Sequence, residues 1–176
     1  IRLIQLHHDH EFYLYSFKQP KLNTDLNGYE LVLRLLDAVG SEHEQVFLDL
    51  PYYETEWKND VLAAVNTVTL VTELHLPAIK HALELLERVK TLRGPEFPVS
   101  VIFNKWDSSL FGQRIGTGRL KELFGDTPIF HIPLANSLIG ESVDRGVPPS
   151  DISARPKFLR YLTKYMNEME LEEPVF

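Results

Sequence analysis

Val99-Ser100-Val101-Ile102-Phe103-Asn104-Lys105-Trp106-Asp107 is the stretch whose reading decides the fold. Its first five residues form a short, almost continuously apolar, β-branched run, the pattern of a strand buried on both faces in a parallel sheet. The spacing predicts a strand over Val99 to Phe103 and a loop from Asn104 to Thr117. An apolar strand that delivers an amide and a carboxylate at its tip is also a candidate for chemistry.

Working upstream, Gly94-Pro95 separates this strand from a helix that opens near Pro77, where a proline's missing N–H costs nothing. Ile79, Ala82, Leu83, Leu86 and Val89 form its apolar stripe, opposed by Lys80, Glu84, Glu87, Arg88 and Lys90. Glu84 and Arg88 stand four apart in the favourable orientation. Before it, Thr67 to Thr72 is a second β-branched strand. Glu54 to Val65 reads as a helix, and Gln45 to Pro51 as a buried strand ending in Asp49. Gly28 to Val39 reads as a helix stopped by Gly40. At the start of the chain, Leu3 to Leu6 and Phe12 to Phe17 are two β-type runs around His7-His8-Asp9-His10-Glu11.

Downstream, a helix is expected over Gly118 to Phe124, a strand over Pro128 to Ile132, a short helix over Asn136 to Arg145 and a last helix from about Ser153 to Met169. Strands alternating with helices imply βαβ crossovers, hence an α/β fold: a mostly parallel sheet with helices on both faces. With 176 residues, no internal repeat and no linker, the chain is expected to be one domain spanning residues 1–176.

Eighteen Lys+Arg against 25 Asp+Glu leave a net charge of −7, which argues against a phosphate-tracking nucleic-acid module. The absence of cysteine excludes disulfides, thiolate metal sites and Cys nucleophiles, and fits a cytoplasmic setting. No apolar run, Val61 to Thr72 included, approaches the roughly 20 residues needed to cross a bilayer, so no stable membrane insertion is expected. The chain begins on Ile1, within a strand-like run, and is expected to be the later part of a longer polypeptide.

Ligands of open α/β sheets bind beyond the carboxyl ends of the strands, so the residues following each strand are the ones to inspect. Asp49 ends Val46-Phe47-Leu48, the arrangement by which phosphate-loop nucleotidases hold magnesium; a helix-capping or surface aspartate is the plain alternative. Asn104 offers a donor and an acceptor to a purine edge, and Asp107 an acceptor to a guanine; a simple turn is the alternative. Gly140 to Pro149 contains Gly146-Val147-Pro148, a turn that can lay backbone against a flat base. His8 and His10 alternate onto one side of an extended segment, though an exposed polar turn explains them equally. No Gly-x-Ser-x-Gly or Gly-x-Gly-x-x-Gly turn follows a strand.

In this order, strand-Asp49-Leu50-Pro51, Thr67 to Thr72 before an amphipathic helix, strand-Asn104, and Gly146-Val147-Pro148 before a last helix, the chain resembles the ParA/MinD family of P-loop ATPases. It is nearest to the CpaE/TadZ branch, which is associated with assembly and polar placement of Tad/Flp pili. The resemblance covers about Gln45 to Met169. It implies ATP and Mg²⁺ as cofactors, with Asp49 the Walker B carboxylate that serves both catalysis and the metal. Asn104 would read adenine, with Asp107 beside it, and the Val147-Pro148 backbone would flank the base. Leu50 to Trp57 would be a switch facing a second subunit, so a homodimer is implied, along with pilus-assembly or polar-localisation partners and recruitment to the pole or the inner membrane face.

Two departures shape the expectation. No Gly-Lys-Ser/Thr occurs in the chain, and Gly112 to Arg119, the one Gly-rich look-alike, lacks the lysine, so this chain alone is expected to be inactive. Asn104-Lys105-Trp106-Asp107 also has the form used by GTPases, although Asp49-Leu50-Pro51-Tyr52 lacks their switch glycine. A non-catalytic localisation or scaffold module of the same fold, and a related GTPase, therefore stand beside the ATPase.

Overall fold

A computed structural model describes residues 2–7, 12–16, 28–50, 57–107, 115–154 and 156–169. The chain forms two compact units, Ile1–Val61 with Pro174–Phe176, and Leu62–Glu173.

In the first unit, β1 (Arg2–His7) and β2 (Phe12–Ser16) pair antiparallel, with the register shifting between Gln5 and His7. The two β-type runs expected at the start of the chain are thus a hairpin. α1 (Gly28–Glu42) follows. It does not stop at Gly40 as expected. A glycine ends a helix by turning left-handed, and Gly40 keeps a negative φ while Ser41 Oγ donates to Ala38 O at 2.8 Å and His43 N to Val39 O at 3.1 Å. The Tyr15 hydroxyl lies 3.0 Å from His43 Nε2, which ties the hairpin to the end of α1.

The expected strand around Val46-Phe47-Leu48 is not formed: residues 45–50 are irregular, with Val46 and Phe47 exposed at 42% and 66%. Three apolar residues are not a strand by themselves. Backbone N–H and C=O groups must be paired before such a run can be buried, and here this segment joins no ladder. The helix expected from Glu54 is α2 (Lys58–Ala64); Glu54 itself lies outside the described residues.

The second unit is built on three parallel strands in the order β3 (Val68–Glu73), β4 (Val99–Trp106), β5 (Ile129–Pro133). Val68 pairs with Val99 and Val101 with Ile129. α3 (Leu76–Arg93) crosses from β3 to β4, and α4 (Thr117–Phe124) from β4 to β5. α5 (Asn136–Arg145), α6 (Pro149–Ile152) and α7 (Lys157–Glu168) complete the unit. The last helix was expected from Ser153; Pro156 instead caps α7, its fixed φ suited to a helix start. This α/β architecture, a parallel sheet flanked by helices, is the one expected from the strand-helix alternation.

Period-two alternation along β4 divides the core. Ile102 faces Phe130, Ile132, Tyr165 and Met166, against which Phe158 and Leu162 of α7 also pack. Phe103, fully buried, points the other way and meets Phe124 of α4 edge-on at 5.8 Å. Ile79, Ala82, Leu86 and Val89 of the expected α3 stripe are buried. Ser100 is also fully buried, and it is satisfied: Thr69 Oγ1 stands 3.1 Å from Ser100 Oγ and 2.6 Å from the Tyr165 hydroxyl. Among the described residues β3 is an edge of this sheet, and Val71 on it is 65% exposed.

α2 ends without a glycine cap. Its last carbonyls are met by Arg93, which donates from Nη1 to Leu62 O and Ala63 O at 2.7 Å and to Val65 O at 2.8 Å. The same guanidinium lies 4.1 Å from the centre of the Phe97 ring. A cation at a helix C-terminus satisfies orphan carbonyls and opposes the dipole. Hydrogen bonds from a charged donor are worth about 1.5–3 kcal/mol each, and these share one nitrogen, so Arg93→Ala is expected to lower unfolding stability by about 2 kcal/mol in total. Urea unfolding of the two proteins checks it, with Arg93→Lys recovering only part because an ammonium cannot stack on Phe97 in the same way.

Candidate functional site

The carboxyl ends of β3, β4 and β5 bring together Glu73, the segment Asn104–Asp107, and Pro133–Leu134. The loop expected at Asn104 begins later, because β4 continues to Trp106. Glu73 pairs with Asn104 in regular register, but on the other side Phe103 pairs with His131 and Trp106 with Pro133. Three steps along β4 match two along β5. The extra residue is a bulge, and Lys105 within it has φ 54°, a left-handed backbone that is the one positive φ outside glycine among the described residues. A non-glycine residue in that region costs about 1–2 kcal/mol.

Side chains hold the bulge from both sides. Lys105 Nζ donates to Glu73 Oε1 at 2.6 Å, and this hydrogen bond, ahead of the lysine's charge, holds the Glu73 carboxyl below its ordinary range. Both partners are about half exposed, so the pair contributes only about 0–1 kcal/mol, of the order of the strain it accompanies. Asn104 Oδ1 accepts the Lys105 backbone N–H at 2.9 Å, which fixes which end of the amide is oxygen. Beyond Glu73, His75 caps α3, its Nδ1 accepting from Ala78 N at 3.3 Å, and its Nε2 lies 4.0 Å from Glu73 Oε2.

Behind the bulge lies an aromatic support. Trp106 meets His131 edge-on with ring centres 4.0 Å apart, and Phe103 stacks on His131 at 6.1 Å. Leu134 N donates to Trp106 O at 3.1 Å, joining the exit of β5 to the tip of β4. His131 Nε2 is buried with no hydrogen-bond partner among the described residues. Desolvation, and secondarily the charge of Lys164, lower the His131 pKa. The cross-strand register that brings His131 against Phe103 and Trp106 is invisible in a linear reading.

The other expected site residues lie as follows. Asp49 is exposed, in the irregular segment of the first unit, while Asn104, Asp107, Val147 and Pro148 belong to the second. Asp107 is exposed and follows β4 directly. Val147 and Pro148 are half-buried in a turn of their own. Gly146, at φ 65°, ends α5; Val147 N donates to Ser142 O and Gly146 N to Val143 O, while Ser142 Oγ donates to Val147 O. This paired cap is where only a residue at ease in left-handed space fits. Pro51 to Glu56, most of the expected switch, and His8, His10 and Gly112 lie outside the described residues. Among the described residues no group of three or more His, Asp or Glu side chains is placed to hold a metal, and no helix is long and apolar enough to cross a membrane.

The lowered His131 pKa makes a pH prediction. Because the unfolded chain takes up this proton more readily than the folded one, stability is full above about pH 6.5, the ordinary histidine value, and falls as pH drops toward the depressed folded value. The urea midpoint is expected to fall further from pH 7.5 to pH 5.0 in the wild type than in His131→Phe, which keeps an aromatic ring against Phe103 and Trp106 but binds no proton.

No family model matches the chain, and no curated protein matches it in sequence. Among solved structures it is similar to the crystal structure of a ParA family ATPase from Chlorobium tepidum TLS, with a TM-score of 0.67 and 20% sequence identity over 80% of this chain. The chain spans 57% of that protein's length. At this identity the likeness is one of architecture, and the parallel β3-β4-β5 sheet with its flanking helices has the fold of a ParA-like P-loop NTPase.

Proposed function

We propose that the chain is the later part of a ParA/MinD-like nucleotide-dependent ATPase of the CpaE/TadZ type, whose nucleotide-bound form dimerises and positions or assembles pilus machinery at the cell pole. The observation that carries this reading is the rim of β4. Asn104, an amide suited to a purine edge, is held on a strand bulge at the carboxyl end of a parallel sheet, and the fold is that of a ParA family ATPase. In the intact protein ATP and Mg²⁺ are the cofactors. Asp49 supplies a carboxylate for the metal's water shell, a role its residue type suits. Asn104 and Asp107 would meet the base, with the Val147–Pro148 turn flanking it.

The chain's own residues would contribute positioning at the base. Phosphate binding needs a cradle of backbone N–H groups and a lysine, and neither occurs here as a Gly-Lys-Ser/Thr loop. Activity is accordingly assigned to the protein extended upstream, in which dimerisation and any recruitment to the inner membrane face would also take place.

Guanine recognition is the second reading, and the carboxylate that follows Asn104 favours it. Asp107, three residues on, has the acceptors that guanine's N1 and N2 groups need.

The test is titration with fluorescent N-methylanthraniloyl-ATP and -GTP in Mg²⁺, using this chain and a form extended upstream. The extended form is expected to bind, and Asn104→Ala to weaken binding about tenfold, the worth of one to two hydrogen bonds. An extended form that binds neither nucleotide would falsify the ATPase and GTPase readings together and leave the scaffold of the same fold.

A further inference from the structure

Two surfaces of the second unit lie on opposite faces of its sheet and are complementary in charge. Thr72, the register partner of Phe103, donates from Oγ1 to Ala78 O of α3, and Phe103 meets Phe124 of α4, so α3 and α4 share one face. Ile102 points to the other, where α7 packs. Between α3 and α4 runs an open groove of about 610 Å³, with Leu83, Leu86, Leu123 and Phe124 as its apolar lining. Acids edge it. Glu87 and Glu122 line the groove, and Glu96 and Asp126 directly follow its lining residues Pro95 and Gly125; all four are exposed. Lys90, the cation in the lining, is engaged by Thr127 Oγ1 at 3.4 Å, and Glu122 is paired with Arg119. Glu87 and Glu96 have no ion-pair partner among the described residues.

α7 carries the opposite character. Lys157, Arg160, Tyr161 and Lys164 recur at three- and four-residue spacing on its exposed side, away from the buried Tyr165 and Met166. Lys164 is paired with Glu168 at 3.4 Å. Lys157 and Arg160 have no carboxylate partner among the described residues, and Lys157 Nζ lies 5.8 Å from the centre of the Tyr161 ring. In a chain with 25 acidic and 18 basic side chains, two neighbouring cations left unpaired beside an exposed tyrosine stand out. Arginine and tyrosine are also the residue types that anchor interfaces.

We propose that α7 of one copy seats in the α3–α4 groove of a second copy, Lys157 and Arg160 meeting Glu87 and Glu96 while Tyr161 enters the apolar lining. Because the two surfaces occupy opposite faces of the sheet, the contact joins unlike patches head to tail, and every added copy leaves a groove at one end and an α7 at the other. Assembly is therefore open-ended, unlike a two-fold dimer. No nucleotide takes part, so the proposal is independent of the nucleotide reading above. One helix in one groove covers less than the ~1,200 Å² of a lasting interface, which makes the contact weak and reversible.

Sedimentation velocity of this chain without nucleotide tests it. The weight-average mass is expected to climb past that of a dimer as concentration rises about a hundredfold from ~5 μM, the range in which a small interface is populated, and to fall back in about 0.5 M NaCl. Glu87→Lys/Glu96→Lys spoils only the groove, and Lys157→Ser/Arg160→Ser only the helix. All four positions are exposed, so both variants are expected to keep the fold, which circular dichroism checks. Each variant alone is expected to stay monomeric. An equal mixture is expected to form a one-to-one pair and nothing larger, since one variant retains the helix and the other the groove. A wild type that stays monomeric over the whole range, or whose mass levels off at the dimer, overturns the proposal. Association that survives in either variant alone, or a mixture that fails to pair, overturns it equally.

Discussion

Everything in the second unit depends on β4 being paired along both edges. A strand of Val99, Val101, Ile102 and Phe103 is buried on both faces, and its backbone groups leave water at tolerable expense only because β3 and β5 take up their hydrogen bonds. The two crossover helices follow from this, since parallel neighbours need long connections and those connections need an apolar stripe to lie against the sheet. The rim follows too, because three parallel strands deliver their carboxyl ends to the same side.

Much of this unit was legible because its signals are periodic and local. The α3 stripe, the Pro77 start, the β-branched run before it and the span of α5 are matters of spacing that a linear reading captures. Where local spacing failed, tertiary pairing had the deciding part. Val46-Phe47-Leu48 has the composition of a strand, yet a strand is a relation between two segments, and residues 45–50 enter none. Pro156, rather than the pattern of leucines, sets where α7 begins.

The candidate site shows the same division. Asn104 and Asp107 stand out in sequence because amide and carboxylate follow an apolar run. Glu73 does not, being thirty-odd positions upstream and joined to Lys105 only through register. His131 is likewise unremarkable until Phe103 and Trp106 are seen packed against it. Lys105 carries no sign of a left-handed backbone, because lysine has no preference for one; the bulge arises from a mismatch of counts between two strands. The Gly146 cap is the converse, a turn whose residue type announces its geometry.

The outer side of β3 has a consequence for the molecule's company. Val68-Thr69-Leu70-Val71-Thr72 is uncharged, free of proline and regular in its pairing to β4, and Glu73 is the first residue along it that repels. Natural sheets usually blunt such a border with lysine, proline or a kink. Here the kink lies in β4 instead, so among the described residues β3 presents a smooth selvedge of the kind to which an extended segment can be stitched.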